Sequence, residues 1–478
     1  MAVGLFFLEF LFMPYDIVVH PKLRPPVDPE FLPAALWNRA FRAAVAAAGG
    51  GEKLAIALER PDGSVSVYRT AVFAHSGPAV ALNERYVERL VKFLLWQRGG
   101  CKLIIAGDPA IAAHISGVYS PFGARSFDFD FMGDSVYRQP MQILGARYED
   151  APQTKESGLP LGRHLDGCRI GFDLGGSDRK CAALIDGELV YSEELAWDPY
   201  FKTDPQYHYD EIDDSLRRAA AKLPRVDAIG GSAAGVYVDN EIRVASLFRG
   251  VPRQLFESRV RRMFFELQKA WGGIPFVVVN DGEVTALAGS MALEDGAVLG
   301  VSMGTSQAGG YVTPQGNITG WLNELAFVPI DYRPAGPLDE WSRDHGVGAQ
   351  YFSQQAVNRL LPAAGIELPK EMPLAEKLVE TQRLMAAGDE LARAIYESIG
   401  VYLGYAVAQY ADFYELRHVL VLGRVMSGEG GDVILFTARQ VLKEEFSELE
   451  ESVRLHVPGE KEKRHGQAVA AASLPSIR

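Results

Sequence analysis

Short apolar runs separated by glycine-containing turns recur from about residue 168 onward. The stretch RIGFDLGGSDRKCAALIDGELVYSEEL alternates such runs with a Gly-Gly turn and an Asp-Gly turn, which predicts three strands joined by hairpins. EIDDSLRRAAAKL then has the apolar spacing of a helix, and VDAIGGSAAG predicts a strand that ends in a loop. This order of elements predicts an α/β unit.

The same plan recurs further along the chain. GAVLGVSMGTSQAGGYVTPQGN predicts two strands around a glycine-containing turn, and HVLVLGRVMSGEGGDVIL predicts a buried strand followed by a small-residue loop. Between the two units, PFVVVNDGEVTALAG predicts a strand that leads directly into a helix. The chain after residue 168 therefore consists of two similar halves.

A polar segment rich in proline and glycine, Glu149 to His164, precedes the first of these halves and predicts a domain boundary. Upstream, KLAIALERPDGSVSVYRTAV predicts a hairpin, NERYVERLVKFLLWQ a helix and CKLIIAGDPAIA a strand. We therefore predict an N-terminal α/β domain at residues 1–150. It is either a degenerate repeat of the half-domain without the Gly-Gly turn, or an unrelated addition.

Composition narrows the class of protein. The formal charge is −13, which argues against a nucleic-acid surface, and 48% of the residues are hydrophobic. The three cysteines form no C-x-x-C pair and fit a reducing compartment. The apolar N-terminus has no Lys or Arg before its apolar run, contains Glu9 and lacks an A-x-A site. We expect a cytoplasmic protein that does not insert into a membrane.

Several familiar motifs are absent or incomplete. No Gly-Lys pair occurs, so there is no Walker A loop, and there is no H-E-x-x-H helix. GVSMG matches the nucleophile elbow of serine hydrolases around Ser302, with Asp331 and His345 following in hydrolase order. That elbow requires a helix directly after the serine, whereas the following residues predict a strand. A serine hydrolase is therefore a remote alternative.

The decapeptide GFDLGGSDRK has the composition of a phosphate-binding turn. Gly175 and Gly176 would let backbone N–H groups approach phosphate oxygens, and Ser177 adds a hydroxyl donor. Asp173 would face Mg²⁺, through water. Of Arg179 and Lys180, at most one is expected to reach the phosphates, since neighbouring residues of a strand point to opposite faces. An ordinary hairpin explains the decapeptide alone equally well.

Other polar and small residues accompany this turn at the ends of the predicted strands. Gly304 and Thr305 form a second turn, Gly423 follows a third buried strand, and Asn280 and Asp281 end a fourth. Such a set of residues could bind a nucleotide between the two glycine turns, with Asp281 near its terminal phosphate. Asp281 as a helix cap is the alternative.

These stretches together resemble the actin-like ATPase and sugar kinase superfamily, and within it the ROK family of repressors, uncharacterised reading frames and kinases. Five stretches match in order between Arg169 and the C-terminus: DLGGSDRK, GGSAAGVYVD, VNDGEVTALAG, GVSMGTSQAGG and VLVLGRVMSGEGG. The resemblance implies two actin-like (ribonuclease H-like) half-domains around a nucleotide cleft. We place them at residues 166–280, joined by a C-terminal helix at 464–474, and at residues 281–463.

The resemblance implies an ATP-dependent kinase that phosphorylates a hydroxyl of a sugar or sugar-like substrate. ATP and Mg²⁺ would be its cofactors, with Asp281 as general base and Asp173 at the metal. The phosphates would contact Gly175, Gly176, Ser177, Lys180, Gly304 and Thr305. The nucleoside would contact Gly423, Ser427, Gly430 and Gly431, and the acceptor would contact Asn280, Glu324 and Gln350.

Departures from the family pattern lie on the sugar side. Phe327 stands where the family's sugar kinases have a histidine, and the cysteine-rich zinc loop is missing, so no zinc is expected. A sensor that retains the fold without catalysis is the main alternative. The N-terminal residues do not resemble the helix-turn-helix of ROK repressors, so no nucleic-acid partner is expected, and a homodimer is left open.

Overall fold

The computed structural model describes residues 17–156, 161–457 and 466–477. The N-terminal domain contains a four-stranded sheet, a π-helical turn at Phe131–Tyr137 and four helices. Its elements are α1 (Ala34–Ala47), β1 (Glu52–Glu59), β2 (Val65–Val72), α2 (Ala79–Arg98), β3 (Lys102–Ala106), α3 (Pro109–Val118), α4 (Ser126–Asp130) and β4 (Gln142–Ala146). The apolar N-terminal stretch 1–16 lies outside the described residues.

The strand directions of this N-terminal sheet bear on the predicted repeat. Its order is β2-β1-β3-β4, and β1 pairs antiparallel with both β2 and β3. In the following half-domain the corresponding central pair is parallel. The predicted hairpin, helix and strand are therefore present, but their directions do not support a degenerate copy of the half-domain.

The first half-domain contains a five-stranded sheet with helices on its faces. Its elements are β5 (Cys168–Leu174), β6 (Asp178–Ile185), β7 (Glu188–Ala196), α5 (Pro205–Ala220), β8 (Ala228–Ala233), β9 (Val236–Val238), β10 (Glu241–Val244), α6 (Arg253–Leu255), α7 (Met263–Ala270) and β11 (Phe276–Asn280). The order is β11-β8-β5-β6-β7, with β5 parallel to β8 and β8 parallel to β11. β9 and β10 form a separate hairpin.

The second half-domain repeats this plan with a four-stranded sheet. Its elements are α8 (Asp281–Leu293), β12 (Val298–Met303), β13 (Gln307–Val312), α9 (Gln354–Ala363), α10 (Leu374–Ala386), α11 (Glu390–Ala411), β14 (His418–Leu422), α12 (Glu429–Glu445), α13 (Ser447–Ser452) and β15 (Arg454–His456). The order is β13-β12-β14-β15, with β12 and β13 antiparallel and the other two pairs parallel. The predicted α/β fold with two similar halves is confirmed.

The C-terminal helix α14 (Gln467–Ala472) packs on the first sheet, against β5, β6 and β8. The contact is a close one between backbones. A Cβ atom built on Gly171 would lie 1.7 Å from the carbonyl oxygen of Ala468, and one on Gly230 would lie 1.7 Å from that of Ala471. Small residues on both surfaces are therefore required. The predicted start of this helix, at residue 464, lies outside the described residues.

The N-terminal domain packs mainly on the second half-domain. Helix α1 contacts α11, and Asp28 binds Arg333, Arg359 and the Tyr402 hydroxyl at 2.7–2.9 Å. The domain also contacts the first half-domain, where Arg138 forms an ion pair with Glu257 at 2.9 Å. It therefore touches both halves. None of the helices described has the length and hydropathy needed to cross a membrane.

Candidate functional site

The carboxyl ends of three parallel strands bring polar side chains together at one edge of the first sheet. In the pairing register, Asp173 on β5 lies opposite Ser232 on β8, and Ala233 lies opposite Asn280 on β11. This edge is where ligands bind in open α/β sheets. Residues from distant parts of the sequence therefore share one site.

Asp173 is a buried carboxylate with only weak charge compensation. Its Oδ1 accepts a hydrogen bond of 2.6 Å from the Ser232 hydroxyl, and its Oδ2 lies 4.0 Å from Lys180 Nζ. Burial raises the pKa of Asp173 despite the bond from Ser232 and the charge of Lys180. The site would hold this acid more easily with a further cation beside it.

Asn280 caps the helix that begins at Asp281. Its Oδ1 accepts from the backbone N–H of Gly282 at 2.7 Å, and its Nδ2 donates to the carbonyl of Gly235 at 2.7 Å. The amide of Asn280 therefore holds the start of α8, which differs from the predicted role in orienting an acceptor. The Asp281 carboxylate accepts a 3.0 Å hydrogen bond from the backbone N–H of Gly282.

The first turn of α8 lies directly on β13 through glycines. A Cβ atom on Gly282 would meet the Gly309 carbonyl at 2.2 Å, and one on Gly310 would meet the Gly282 carbonyl at 2.1 Å. Side chains at these positions would push the helix away from the strand. The glycines therefore place Asp281 close to the β12–β13 hairpin, which carries the turn at Gly304 and Thr305.

The Asp281 carboxylate interacts electrostatically with Asp173 and with Glu324. Burial and the charge of Asp173 raise the pKa of Asp281 to about 6. Burial and the charge of Asp281 raise the pKa of Glu324 to about 7, and the same two causes raise the pKa of Tyr237. A carboxylate with such a pKa is suited to accept a proton near neutral pH.

A cleft of about 420 Å³ adjoins this acid, and we call it the central cleft. The first half-domain contributes 235–240 and 277–280 to its wall, and the second contributes Glu283 and most of 318–324. The N-terminal domain closes one side with Arg60, Pro61, Asp62 and Tyr137. The cleft therefore lies where all three parts of the chain meet, and Glu324, which is predicted to contact the acceptor, is part of its lining.

The structure adds two cleft residues that sequence reasoning missed. Glu283 is only 5% exposed, accepts from Asn323 Nδ2 at 2.6 Å, and has its pKa raised to about 8 by burial. Tyr137 comes from the π-helical turn of the N-terminal domain. Glu283 stood within the matched VNDGEVTALAG stretch and could have been noticed. No local signal marks Tyr137, because it reaches the cleft only through domain packing.

The two predicted phosphate turns differ in how many backbone donors they offer. Gly175 uses its N–H within the hairpin, on the carbonyl of Asp178 at 2.9 Å, and Gly304 bonds Ser306 at 3.0 Å. In the part of the chain that the structure describes, the N–H groups of Gly176 and Thr305 have no acceptor. Gly176 and Thr305 therefore offer free donors to an anion.

The basic pair behind the first turn divides as expected. Arg179 is buried against α5, where it binds Asp214 at 3.0 Å. Lys180 points to the other face and lies 3.6 Å from Asp178 and 4.0 Å from Asp173. Only Lys180 is therefore placed near the predicted phosphate site. The Ser177 hydroxyl donates to Asp178 at 3.0 Å.

Most of the predicted ligand-binding glycines also have a packing reason. A Cβ atom on Gly176 would strike the Tyr200 hydroxyl at 1.9 Å, and one on Gly423 would lie 2.5 Å from the Met303 carbonyl. Gly430 and Gly431 are likewise covered, by the Tyr396 ring and the Met426 carbonyl. Of the predicted nucleoside residues, Ser427 is exposed. Their contact with a nucleoside stays a prediction.

Gly304 is the exception among these glycines. The nearest atom to a Cβ built on it is the Ser306 carbonyl oxygen, 3.6 Å away. Packing within the described residues does not require glycine here. The approach of a ligand is therefore the better explanation for the absence of a side chain.

A matched pair of alanine substitutions separates these two kinds of glycine. Gly304→Ala should leave the free energy of unfolding within about 0.5 kcal/mol and weaken binding of an ATP analogue at least about tenfold. Gly423→Ala should destabilise the protein by about 1–3 kcal/mol, because its φ of 102° and the Met303 carbonyl exclude a methyl group. Thermal unfolding and calorimetric titration measure the two effects. Unchanged analogue binding in Gly304→Ala would argue against a phosphate at this turn.

Gln350 does not reach the central cleft. It lies in a short turn before α9, its side-chain amide donates to Gln355 at 2.6 Å, and it is absent from the cleft lining. The predicted role in binding the acceptor is therefore not supported for this residue. The cause is the turn at 348–350, which directs the amide toward α9.

The hydrolase alternative is wrong. Ser302 lies within β12, and the chain continues into the antiparallel strand β13 instead of a helix. Asp331 is buried and binds the Tyr351 hydroxyl at 2.7 Å, while His345 Nδ1 bonds the Gly336 carbonyl at 2.6 Å. The strained strand-to-helix turn that exposes a nucleophilic serine is therefore missing.

The residues present fit ATP and Mg²⁺, although no cluster of His, Cys, Asp or Glu among the described residues holds a metal by itself. Mg²⁺ keeps several waters and commonly takes only one or two protein carboxylates together with substrate phosphates. Asp173, buried and incompletely compensated, suits such a water-mediated contact. The free N–H groups of Gly176 and Thr305, with Lys180 nearby, suit phosphate oxygens.

Comparison with known proteins identifies the fold. The ROK hexokinase from Thermus thermophilus is 20% identical, with a TM-score of 0.50 over 64% of this chain and 98% of the hexokinase. A ROK family transcriptional regulator, a homolog of the E. coli MLC protein, is 19% identical, with a TM-score of 0.49 over 67% of this chain and 80% of the regulator. A ROK family glucokinase from Streptomyces griseus, in complex with glucose and AMPPNP, is 20% identical, with a TM-score of 0.45 over 64% of this chain and 98% of the glucokinase.

The searches against protein-family models and against curated proteins found no match. At these identities the structural likeness shows the fold alone. The chain therefore has the fold of the ROK hexokinase, and the predicted fold class of two actin-like half-domains is confirmed. The predicted resemblance to the ROK family holds at the level of the fold.

Proposed function

We propose that this protein is an ATP-dependent kinase that transfers the γ-phosphoryl group to a hydroxyl of a sugar-like acceptor. One observation carries the proposal: Asp281 begins α8 directly after Asn280, which lines the central cleft, and its carboxylate interacts electrostatically with Asp173 and with Glu324. An acid near both a predicted phosphate turn and a polar cleft supports a role in accepting the proton of an acceptor hydroxyl.

The roles of the surrounding residues follow from phosphoryl transfer itself, which needs positioning and charge stabilisation more than covalent chemistry. Asp281 accepts the proton of the attacking hydroxyl, and Asn280 holds the start of α8 so that this carboxylate stays in place. Asp173 would hold Mg²⁺ through water, and this ion would neutralise charge on the phosphates. Glu324 contacts the acceptor in the cleft.

The pH dependence of kcat/KM tests the assignment of Asp281 as the general base. Because burial and Asp173 raise the pKa of Asp281 to about 6, the ionised fraction of this base falls as the pH falls through 6. We expect kcat/KM to decrease about tenfold between pH 7 and pH 5. In Asp173→Asn the lower limb should move to lower pH, since one nearby negative charge is removed. A flat profile across this range would contradict the assignment.

The direct test is phosphoryl transfer. The protein is incubated with ATP, Mg²⁺ and a panel of hexoses, amino sugars and other polyols, and ADP and phosphorylated product are measured together. A product that forms only with acceptor present supports the proposal. ATP binding without product from any polyol would overturn it in favour of a non-catalytic sensor.

A further inference from the structure

Among the described residues that line the central cleft, acidic side chains outnumber basic ones. Asp62, Asp239, Glu283 and Glu324 line it, and Asp281 directly follows the lining residue Asn280. Arg60 is the one basic side chain in the lining that the structure describes. Its guanidinium is already used by Ser64, Ser66, the Arg98 carbonyl and Glu156. No basic group of the lining is therefore left to offset the acids.

Glu324 and Glu283 are the clearest cases. In the described part of the chain the Glu324 carboxylate has no hydrogen bond or ion pair, and burial and Asp281 raise its pKa to about 7. Glu283 bonds Asn323 through Oε1, whereas its buried Oε2 has no partner. Within the described residues, neither the buried Glu283 nor the half-buried Glu324 has the positive partner that normally accompanies a carboxylate removed from water.

Tyr137 is an independent indication that something binds here. It is 8% exposed and lines the cleft, yet its hydroxyl has no hydrogen bond to any residue that the structure describes. The hydroxyl oxygen itself keeps some solvent exposure, so a polar group in the cleft can reach it. This hydroxyl comes from the N-terminal domain, on a different element from the acids. A polar ligand in the cleft would satisfy the hydroxyl and the carboxylates together.

The cation that fits this site is organic. A divalent metal needs several oxygen ligands at short distance, and the described residues form no such cluster. The cleft volume of about 420 Å³ also exceeds what a single ion requires, since a water molecule occupies about 30 Å³. Tyr237 adds an aromatic wall that suits the C–H face of a ring.

We propose that the acceptor is a polyhydroxylated amine, such as a free amino sugar or an aminocyclitol. Its ammonium group lies against Glu324, close to Glu283, and a hydroxyl or the amine contacts Tyr137. This inference rests on the proposed kinase function for the identity of the reaction. The charge of the bound molecule follows from the cleft alone. An N-acetylated or neutral sugar would leave the carboxylates uncompensated and should bind more weakly.

The test uses matched sugars in the absence of nucleotide, so that it does not depend on catalysis. Glucosamine, N-acetylglucosamine and glucose, with the corresponding galacto and manno series, are titrated calorimetrically into the full chain at pH 7. We expect one amine to bind at least tenfold more tightly than its hydroxyl and acetamido counterparts. Equal affinities within every series, or no amine binding, would overturn the proposal.

Two variants and a control assign the effect to the cleft. Glu324→Gln should reduce the preference for the amine to less than threefold, and Tyr137→Phe should weaken the amine several-fold without lowering the melting temperature. The control is Glu371→Gln, at an exposed acid between α9 and α10. This substitution should change neither the affinity for the amine nor the preference for it over the matched neutral sugars. If both cleft variants retained the full preference, the amine would bind elsewhere and the proposal would be wrong.

A separate titration with MgCl₂ alone distinguishes a metal site. Binding of Mg²⁺ that competes with the amine and is lost in Glu324→Gln would replace the proposal with a metal site. Phosphoryl transfer is then measured with the same sugars. Amine binding without phosphoryl transfer would support a positively charged ligand in the central cleft but reject the kinase function. Transfer only to neutral sugars would support the kinase function and reject the amine.

Discussion

Asp281→Asn should lower kcat by about 10²–10⁴-fold while leaving the affinity for ATP unchanged or slightly tighter. The amide cannot accept the hydroxyl proton but has nearly the same shape as the carboxylate. The melting temperature should not fall, because the folded protein already disfavours the charged form of this acid, whose pKa is raised to about 6. Turnover and calorimetric binding are measured on the same preparation.

The control for this experiment is Asp210→Asn, an exposed acid on α5 with no contact to the cleft lining. It should retain wild-type turnover and affinity. Asp281→Asn turnover above a tenth of the wild-type rate, with full ATP binding, would show that another group accepts the proton. Loss of ATP binding in Asp281→Asn would instead show that Asp281 holds the nucleotide complex together.

The largest stability effect is expected at a buried ion pair between α2 and α4. Lys92 and Asp128 are 0% and 1% exposed, and Lys92 Nζ lies 2.6 Å from Asp128 Oδ1. Trp96 donates to the same oxygen at 2.8 Å. Lys92→Met should cost about 3–5 kcal/mol, because it leaves the Asp128 carboxylate buried without a cation. Urea denaturation followed by tryptophan fluorescence measures the loss.

The double variant Lys92→Met/Asp128→Leu is the matched control. It removes both charges and should regain most of the lost stability, since apolar replacements of a buried pair are often neutral. A double variant as unstable as Lys92→Met alone would show that packing, and not the orphaned charge, causes the loss. Asp344 should contribute as well, because it lies 3.7 Å from Lys92 and 2.6 Å from Arg125.

The N-terminal domain shows which features of a fold the sequence pattern predicts and which it does not. Its hairpin and helices follow from local periodicity, and β1, β2 and α2 lie where the pattern predicts them. The direction of β3 depends on how the helices pack and not on the residues of the strand. An apolar run such as CKLIIA is compatible with either direction, so the order of elements suggested a repeat that the strand directions do not support.

The glycines show the same limit at the site. Gly304 and Gly423 both follow strands of the second sheet and look alike in the sequence. Only the folded chain shows open space beside the first and the Met303 carbonyl beside the second. Asn280 also changed role, since its amide is used to begin α8. What a side chain touches depends on neighbours that are distant in sequence.

Local pattern was sufficient for the two α/β halves, the turn at Gly175 and Gly176, and the strand that delivers Asp281, because strand periodicity and turn chemistry act over a few residues. The central cleft was not accessible in this way. Tyr137 reaches Glu283 and Glu324 there only because the N-terminal domain packs across both halves. The charge and the shape of the cleft therefore depend on tertiary structure, since electrostatic coupling and burial follow distance in space and not separation along the chain.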